Sequence, residues 1–148
     1  MEWIIKKFQE LDLEELYALL AARTAVFVVE QECPYLEVDN NDQVCYHLLG
    51  QENGELVAYA RILPAGLTFP QASIGRVLVV NSHRGQGLAQ QLMARAIAFL
   101  VEELGEKSIQ ISGQSYLEDF YKSFGFQPVS DMYLEDGIPH KDMLLEME

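Results

Sequence analysis

The sequence is short of positive charge: 10 Lys and Arg stand against 23 Asp and Glu, a net charge of −13. Such a chain lacks the basic surface that displaces counterions from a polyanion. That excludes sequence-independent nucleic-acid binding and leaves cationic small molecules or basic peptides as partners. Cysteine is scarce too. Cys33 and Cys45 do not make a disulfide framework in 148 residues, so the expected compartment is the reducing cytoplasm. Long apolar runs are missing: the longest, Leu16 to Ala22, stops far short of the roughly 20 residues of a membrane span. The N-terminus alternates apolar and charged residues (Glu2, Lys6, Lys7, Glu10), unlike a secretory signal. Repeats, low-complexity tracts and linker-like stretches are also lacking. One domain over residues 1–148 is therefore expected, with 49 % hydrophobic content to build its core.

What is present is unevenly placed. From Thr24 to Ala60 there is no Lys or Arg, while Glu30, Glu32, Glu37, Asp39, Asp42, Glu52 and Glu55 all fall inside. A one-sign block of this kind suits a cationic acceptor and equally suits a solvated face. Around it the periodicities predict a strand over Glu2–Phe8. A helix follows, starting at an Asp12/Glu15 capping box and stopping near Phe27, where Val-Phe-Val-Val favours strand. Val44–Leu49 and Leu56–Leu63 read as a hairpin around Asn53-Gly54. Ser73–Val80, apolar on both faces, reads as a central strand. A long helix over Gly85–Leu104 with Gly105 as its cap, a strand over Lys107–Ser112, a helix over Ser115–Phe124, and strands at Val129–Leu134 and Met143–Met147 complete the order. The expectation is an α+β layered domain with a mixed sheet.

Chemistry starts where the strand ending at Val80 runs into Arg84-Gly85-Gln86-Gly87-Leu88-Ala89 and a helix. Two glycines allow close backbone approach, and the first helical turn offers unpaired N–H groups and the positive end of the dipole. Arg84 adds charge that can pair with phosphate, so a diphosphate is the natural guest. The loop lacks the Gly-Lys-Ser/Thr of a Walker A site and the third glycine of the dinucleotide fingerprint. No Ser/His/Asp or Cys/His nucleophile motif is present. A metal site from Cys33, Cys45 and His47 has no recognisable ligand spacing, so no metal is expected.

The Arg-x-x-Gly-x-Ala pattern after a buried strand resembles the acetyl-CoA loop of the GNAT superfamily of N-acetyltransferases. Gln114-Ser115-Tyr116-Leu117-Glu118-Asp119-Phe120-Tyr121-Lys122-Ser123-Phe124-Gly125-Phe126 resembles that superfamily's second motif. Segments Arg23–Tyr35, Ala58–Leu63, Ile74–Val77 and Asp136–His140 extend the resemblance over nearly the whole chain, to the ElaA-like branch. The resemblance implies the acyl-CoA N-acyltransferase fold, a mixed central sheet of about six to seven strands with helices on both faces, and acetyl transfer from acetyl-CoA to a primary amine. It places pantetheine on the main chain of Leu78, Val79 and Val80, and pyrophosphate on Arg84, Gly85, Gln86, Gly87, Leu88 and Ala89. Gln114 stands where the family has an amide facing the coenzyme.

On the same basis Tyr121 falls on the general-acid position, where a phenol remains protonated and can reach the departing thiolate; a packed core aromatic is the alternative. The strand before the loop carries Arg76 and no carboxylate, a departure that leaves the base open. Glu30 and His140 are the candidates, with Asp39, Asp42, His47 or a water relay behind them. Pairing of the carboxylates with Arg23, Arg61 or Arg76 is the competing expectation. The acceptor is expected to be a small molecule or peptide, and a homodimer is common in the superfamily. Competing readings are a non-catalytic coenzyme-binding module, a relative of the LuxI-type acyl-homoserine-lactone synthases, and a nucleotide-binding protein.

Overall fold

The computed structural model describes residues 1–147. Strands β1 (Glu2–Lys7), β2 (Tyr46–Glu52), β3 (Glu55–Leu63) and β4 (Ser73–Val79) form one antiparallel sheet in that order. Strands β5 (Ser108–Gln114), β6 (Gln127–Pro128), β7 (Tyr133–Glu135) and β8 (Ile138–Glu146) form a second, in which β8 pairs with all three others. The two sheets touch through one parallel bridge, Ala72 with Ile109, where Gln110 N donates to Ala72 O at 2.9 Å. Beyond that bridge β4 and β5 diverge, and the facing edges carry main-chain groups without ladder partners. Among the described residues the expected six to seven strands become eight, because in place of the strand expected over Val129–Leu134 there are two short ones, β6 and β7.

Helices cover both faces, as the resemblance implied. Helix α1 (Leu13–Arg23) starts at the Asp12/Glu15 capping box, with Glu15 N donating to Asp12 Oδ1 at 2.7 Å. Leu19, Leu49, Tyr59 and Leu78 form the core between this helix and the first sheet. On the other face, Leu88, Leu92, Met93, Ala96 and Leu100 pack against Leu48, Ala58, Ile74, Ile109 and Ile111. They belong to α2 (Leu88–Ala98) and the turn that extends it. The short α3 (Glu118–Lys122) follows a 3-10 turn at Ser115–Leu117, so the helix expected from Ser115 is only half regular.

The strand-favouring Val26-Phe27-Val28-Val29 run does not end the first helix near Phe27. The chain continues to Glu30 in wider π-helical turns, with Gln31 N bonding Val26 O at 3.2 Å and Cys33 N bonding Val28 O at 3.0 Å. Val26 and Phe27 pack beside Tyr59 and Leu78, so burial overrides local propensity here. The last expected strand, Met143–Met147, begins five residues earlier at Ile138, because Asp136-Gly137 folds as a tight turn between β7 and β8. No helix among the described residues is long and apolar enough to cross a membrane.

Candidate active site

A cleft of about 1180 Å³ opens where β4 and β5 part. Leu78, Val79, Arg84, Gly85, Gly87, Leu88, Ala89, Gln114, Tyr121, Glu30 and His140 all line it. Two residues expected at the coenzyme do not: Gln86 and Val80 lie outside the lining, and the Val80 N–H is already bonded to Val57 O at 2.9 Å. The register of β4 slips between the pairs Tyr59–Leu78 and Arg61–Gly75, leaving a bulge at Arg76 and Val77. Arg76 sits at φ 51°, a left-handed conformation that costs a non-glycine residue about 1 kcal/mol. Its guanidinium offsets that cost by binding Glu37 Oε1 at 2.8 Å, near the Tyr35 ring.

The glycine turn is built for an anion. Gly85 and Gly87 hold φ of 81° and 79°, and Gly87, the N-cap of α2, provides no side-chain cap for the helix. The first-turn N–H groups therefore face the cleft without an internal partner. A Cβ on Gly85 meets nothing within 4 Å, so the space above the turn is open. Arg84 lies across the mouth: Nε donates to Val79 O at 2.9 Å, and two guanidinium nitrogens reach the two carboxylate oxygens of Glu30 at 2.9 and 3.0 Å. Glu30 is thus engaged by Arg84. An uncapped helix start, two glycines, one arginine and an unpaired strand edge together fit the diphosphate and the amide-bearing arm of an acyl-CoA.

Tyr121 reaches the same cleft from α3. Its ring lies on the β5 main chain so closely that a Cβ on Gly113 would sit 2.7 Å from Tyr121 Cε2. Burial pushes its phenol up to about 12, with Tyr116 adding to the effect, so the hydroxyl carries its proton throughout the physiological range. Gly113→Ala is expected to force the ring off the strand and to destabilise the protein by about 1–3 kcal/mol, as overpacking does. Urea unfolding checks this, and a Tyr121→Ala background should remove most of the penalty.

The other carboxylate and histidine candidates have different employment. Arg23, fully buried, binds Glu37 Oε1 and Oε2 at 2.7 and 2.8 Å and Asp42 Oδ1 at 2.7 Å. Arg61 binds Asp39 at 2.7 Å and Asp42 at 3.0 Å. These guanidiniums oppose burial and hold the Asp39 and Asp42 carboxyls below the ordinary range. His47 is fully buried between Tyr59 Oη and Asp42 O, outside the cleft, and burial pushes its pKa down. Asp39, Asp42 and His47 therefore serve the interior ion network, the outcome that pairing with the arginines anticipated. Burial pushes the Cys45 thiol up to about 11, and Cys33 packs with Sγ 3.4 Å from Asp136 O. Among the described residues no group of His, Cys, Asp and Glu is placed to hold a metal ion.

Sequence reasoning missed a polar cluster at the other end of the cleft. Tyr133, Glu135 and Asp142 line it beside Ser112 and His140. The Asp136-Gly137 turn pairs Tyr133 with His140 across β7 and β8. Asp-Gly between two short β-prone runs is itself a hairpin signal, and it was the available clue.

A splayed pair of strands roofed by a glycine turn at a helix start defines an acyl-CoA N-acyltransferase fold. The crystal structure of an acyl-CoA N-acyltransferase from Pseudomonas aeruginosa superposes with a TM-score of 0.93 at 44 % identity, covering 97 % of this chain and 98 % of that one. A family model described as an acetyltransferase (GNAT) domain matches residues 12–147. Protein ElaA of Escherichia coli (strain K12) is 44 % identical over 149 residues, which cover 99 % of this chain and 97 % of ElaA. The ElaA crystal structure superposes with a TM-score of 0.92, covering 98 % of this chain and 99 % of that one. The chain belongs to the GNAT acetyltransferase family, in its ElaA-like branch. Proteins of this fold bind acyl-CoA and pass its acyl group to small-molecule or peptide acceptors. The CoA-dependent acyl-homoserine lactone synthase BjaI, at 19 % identity and a TM-score of 0.74 over 92 % of this chain and 78 % of its own, shares the fold alone.

Proposed function

We propose that residues 1–148 form one cytoplasmic N-acetyltransferase domain that moves an acetyl group from acetyl-CoA to the primary amine of a small-molecule or peptide acceptor. The carrying observation is the cleft itself. Its walls are the unpaired edges of β4 and β5, its roof is the uncapped start of α2, and Tyr121 faces it. The N–H groups of Gly87, Leu88 and Ala89 and the side chain of Arg84 hold pyrophosphate, and the Leu78 and Val79 main chain holds pantetheine. Gln114, at the end of β5, orients the arm between them. The thioester supplies an activated acyl carbon, so no protein nucleophile is needed and the amine attacks directly in a ternary complex. Tyr121 gives its proton to the departing sulfur. Glu30 acts here by holding Arg84 over the mouth until phosphate competes for it.

Acetyl-CoA is expected to raise the melting temperature of the protein, whereas NAD and ATP leave it unchanged. In a thiol-release assay against a panel of primary amines, Tyr121→Phe should lower kcat by about 10² to 10³ while leaving coenzyme affinity within about twofold. Because the phenol titrates near 12, the wild type should show no loss of rate from this group up to pH 10. Tight coenzyme binding with no amine acetylated would favour the non-catalytic module.

A further inference from the structure

Every acidic residue of the sequence's carboxylate-rich block that reaches the interior is matched by an arginine, and Glu30 by Arg84. Among the described residues three carboxylates that line the cleft, Glu135, Asp136 and Asp142, are not, and the first and last of these flank His140. Among the described residues, neither Glu135 nor Asp142 has a Lys or Arg partner. The hydrogen-bond donors around them are already engaged. Tyr133 Oη donates to Asp142 Oδ1 at 2.6 Å, and Ser112 Oγ is bonded to Tyr133 Oη and lies 3.4 Å from Glu135 Oε2.

His140 completes the pattern. It is 8 % exposed, and its Nδ1 lies 2.7 Å from Ile138 O. A carbonyl oxygen only accepts, so Nδ1 carries a proton, and whenever the ring is neutral Nε2 is the acceptor nitrogen. That Nε2 makes no hydrogen bond among the described residues, and it faces Glu135 Oε2, another acceptor, at 3.5 Å. Two acceptors converging without a donor between them are complementary to a group bearing several N–H bonds. The Tyr133 ring lies nearly parallel to the imidazole, at 24° and 6.2 Å.

The position suits transfer. His140 pairs with Gln114 across β5 and β8, and Asp142 pairs with Ser112. Side chains of directly paired residues share a face, so His140, Asp142, Ser112 and Gln114 lie on one side of β5. Tyr121 covers the other side at Gly113. Both groups line the cleft at the β5 edge.

Resting on the acetyltransferase reading above, we propose that His140 and Glu135 form the acceptor site, that it takes a primary alkylammonium group, and that His140 Nε2 is the general base. The ammonium gives one proton to His140 Nε2 and becomes the neutral nucleophile. Its nitrogen forms a bond to the thioester carbon, and the C–S bond breaks with its electron pair on sulfur, which takes the Tyr121 proton. The second amine proton, released as the amide forms, goes to Glu135. Exchange with solvent restores all three groups, for a net release of one proton.

The test follows the Nε2 resonance of His140 by ¹⁵N NMR during titration with n-propylammonium and, separately, with tetramethylammonium, which has equal charge and no N–H. Expected is a saturable Nε2 shift with n-propylammonium alone, abolished in Glu135→Gln. No shift, or an equal shift with tetramethylammonium, overturns the proposal. In the thiol-release assay His140→Gln should lower kcat about 100-fold or more while CoA still raises the melting temperature as in the wild type. A kcat within about threefold of wild type also overturns it. Failure of CoA to stabilise the wild type is a separate result, and sinks the acyltransferase reading whatever the ammonium titration shows.

Discussion

Gly87→Trp is expected to raise the dissociation constant for acetyl-CoA by at least about 100-fold while the protein still folds. The loss corresponds to about 2.7 kcal/mol, the scale of one or two charge-assisted hydrogen bonds from a helix start to a phosphate. The turn tolerates the change in the free protein because the nearest heavy atom to a Cβ at Gly87 is Gln90 Oε1, a flexible tip 3.8 Å away. The backbone tolerates it less well: φ of 79° costs a tryptophan about 1–2 kcal/mol, a melting-temperature drop of a few degrees. Gly87→Ala separates the two effects, since it has the backbone cost without the bulk. Calorimetric titration should find Gly87→Ala binding the coenzyme within about tenfold of wild type and Gly87→Trp not binding. Normal binding by Gly87→Trp would show that the pyrophosphate lies elsewhere.

The second large effect concerns stability. Arg23→Met should cost about 3–5 kcal/mol, because the fully buried guanidinium leaves behind Glu37 and Asp42, which are 5 % and 4 % exposed. Against a total of about 5–15 kcal/mol this threatens the fold, and urea unfolding at neutral pH measures it. Lys6→Ala, which breaks a partly exposed, solvent-screened pair with Glu15 at 2.9 Å, should shift the urea midpoint far less than Arg23→Met. The network also sets the acid response. The folded-state pKa values of Asp39 and Asp42 are depressed, so the stability they contribute is complete above their unfolded value of about 3.9. That contribution declines as pH falls below about 4 and is lost when the folded carboxyls themselves take protons. In Arg23→Met the Asp42 carboxyl loses a cation and its pKa rises, so destabilisation by acid should begin at higher pH. Equal stability of Arg23→Met and wild type at pH 7 would mean that the network contributes nothing.

The glycine turn at the start of α2 was readable in the sequence because it is local. Gly85, Gly87 and the helix that follows are neighbours in the chain, and a glycine turn at a helix start makes an anion site in any fold. The Asp12/Glu15 cap and the Asn53-Gly54 hairpin formed as expected for the same reason. The carboxylates of the acidic block were left open between an acceptor site, a solvated face and pairing with arginines, because charge was judged by position along the chain. Glu37 and Asp39 lie in an acidic loop with no Lys or Arg nearby in the chain. Only when that loop folds over β3 and β4 do Arg23, Arg61 and Arg76, between 14 and 39 residues away, come within hydrogen-bond reach.

By itself, then, the sequence determined the fold class, the family and the glycine turn at a helix start, all properties of short-range pattern. Tertiary structure alone decided which charges are matched. It paired Glu30, Glu37, Asp39 and Asp42 with distant arginines and parted β4 from β5 to open the cleft; among the described residues it left Glu135 and Asp142 there without a Lys or Arg and the His140 Nε2 without a hydrogen bond. The physical reason is that Coulomb and hydrogen-bond energies depend on distance through space, and sequence separation does not encode that distance.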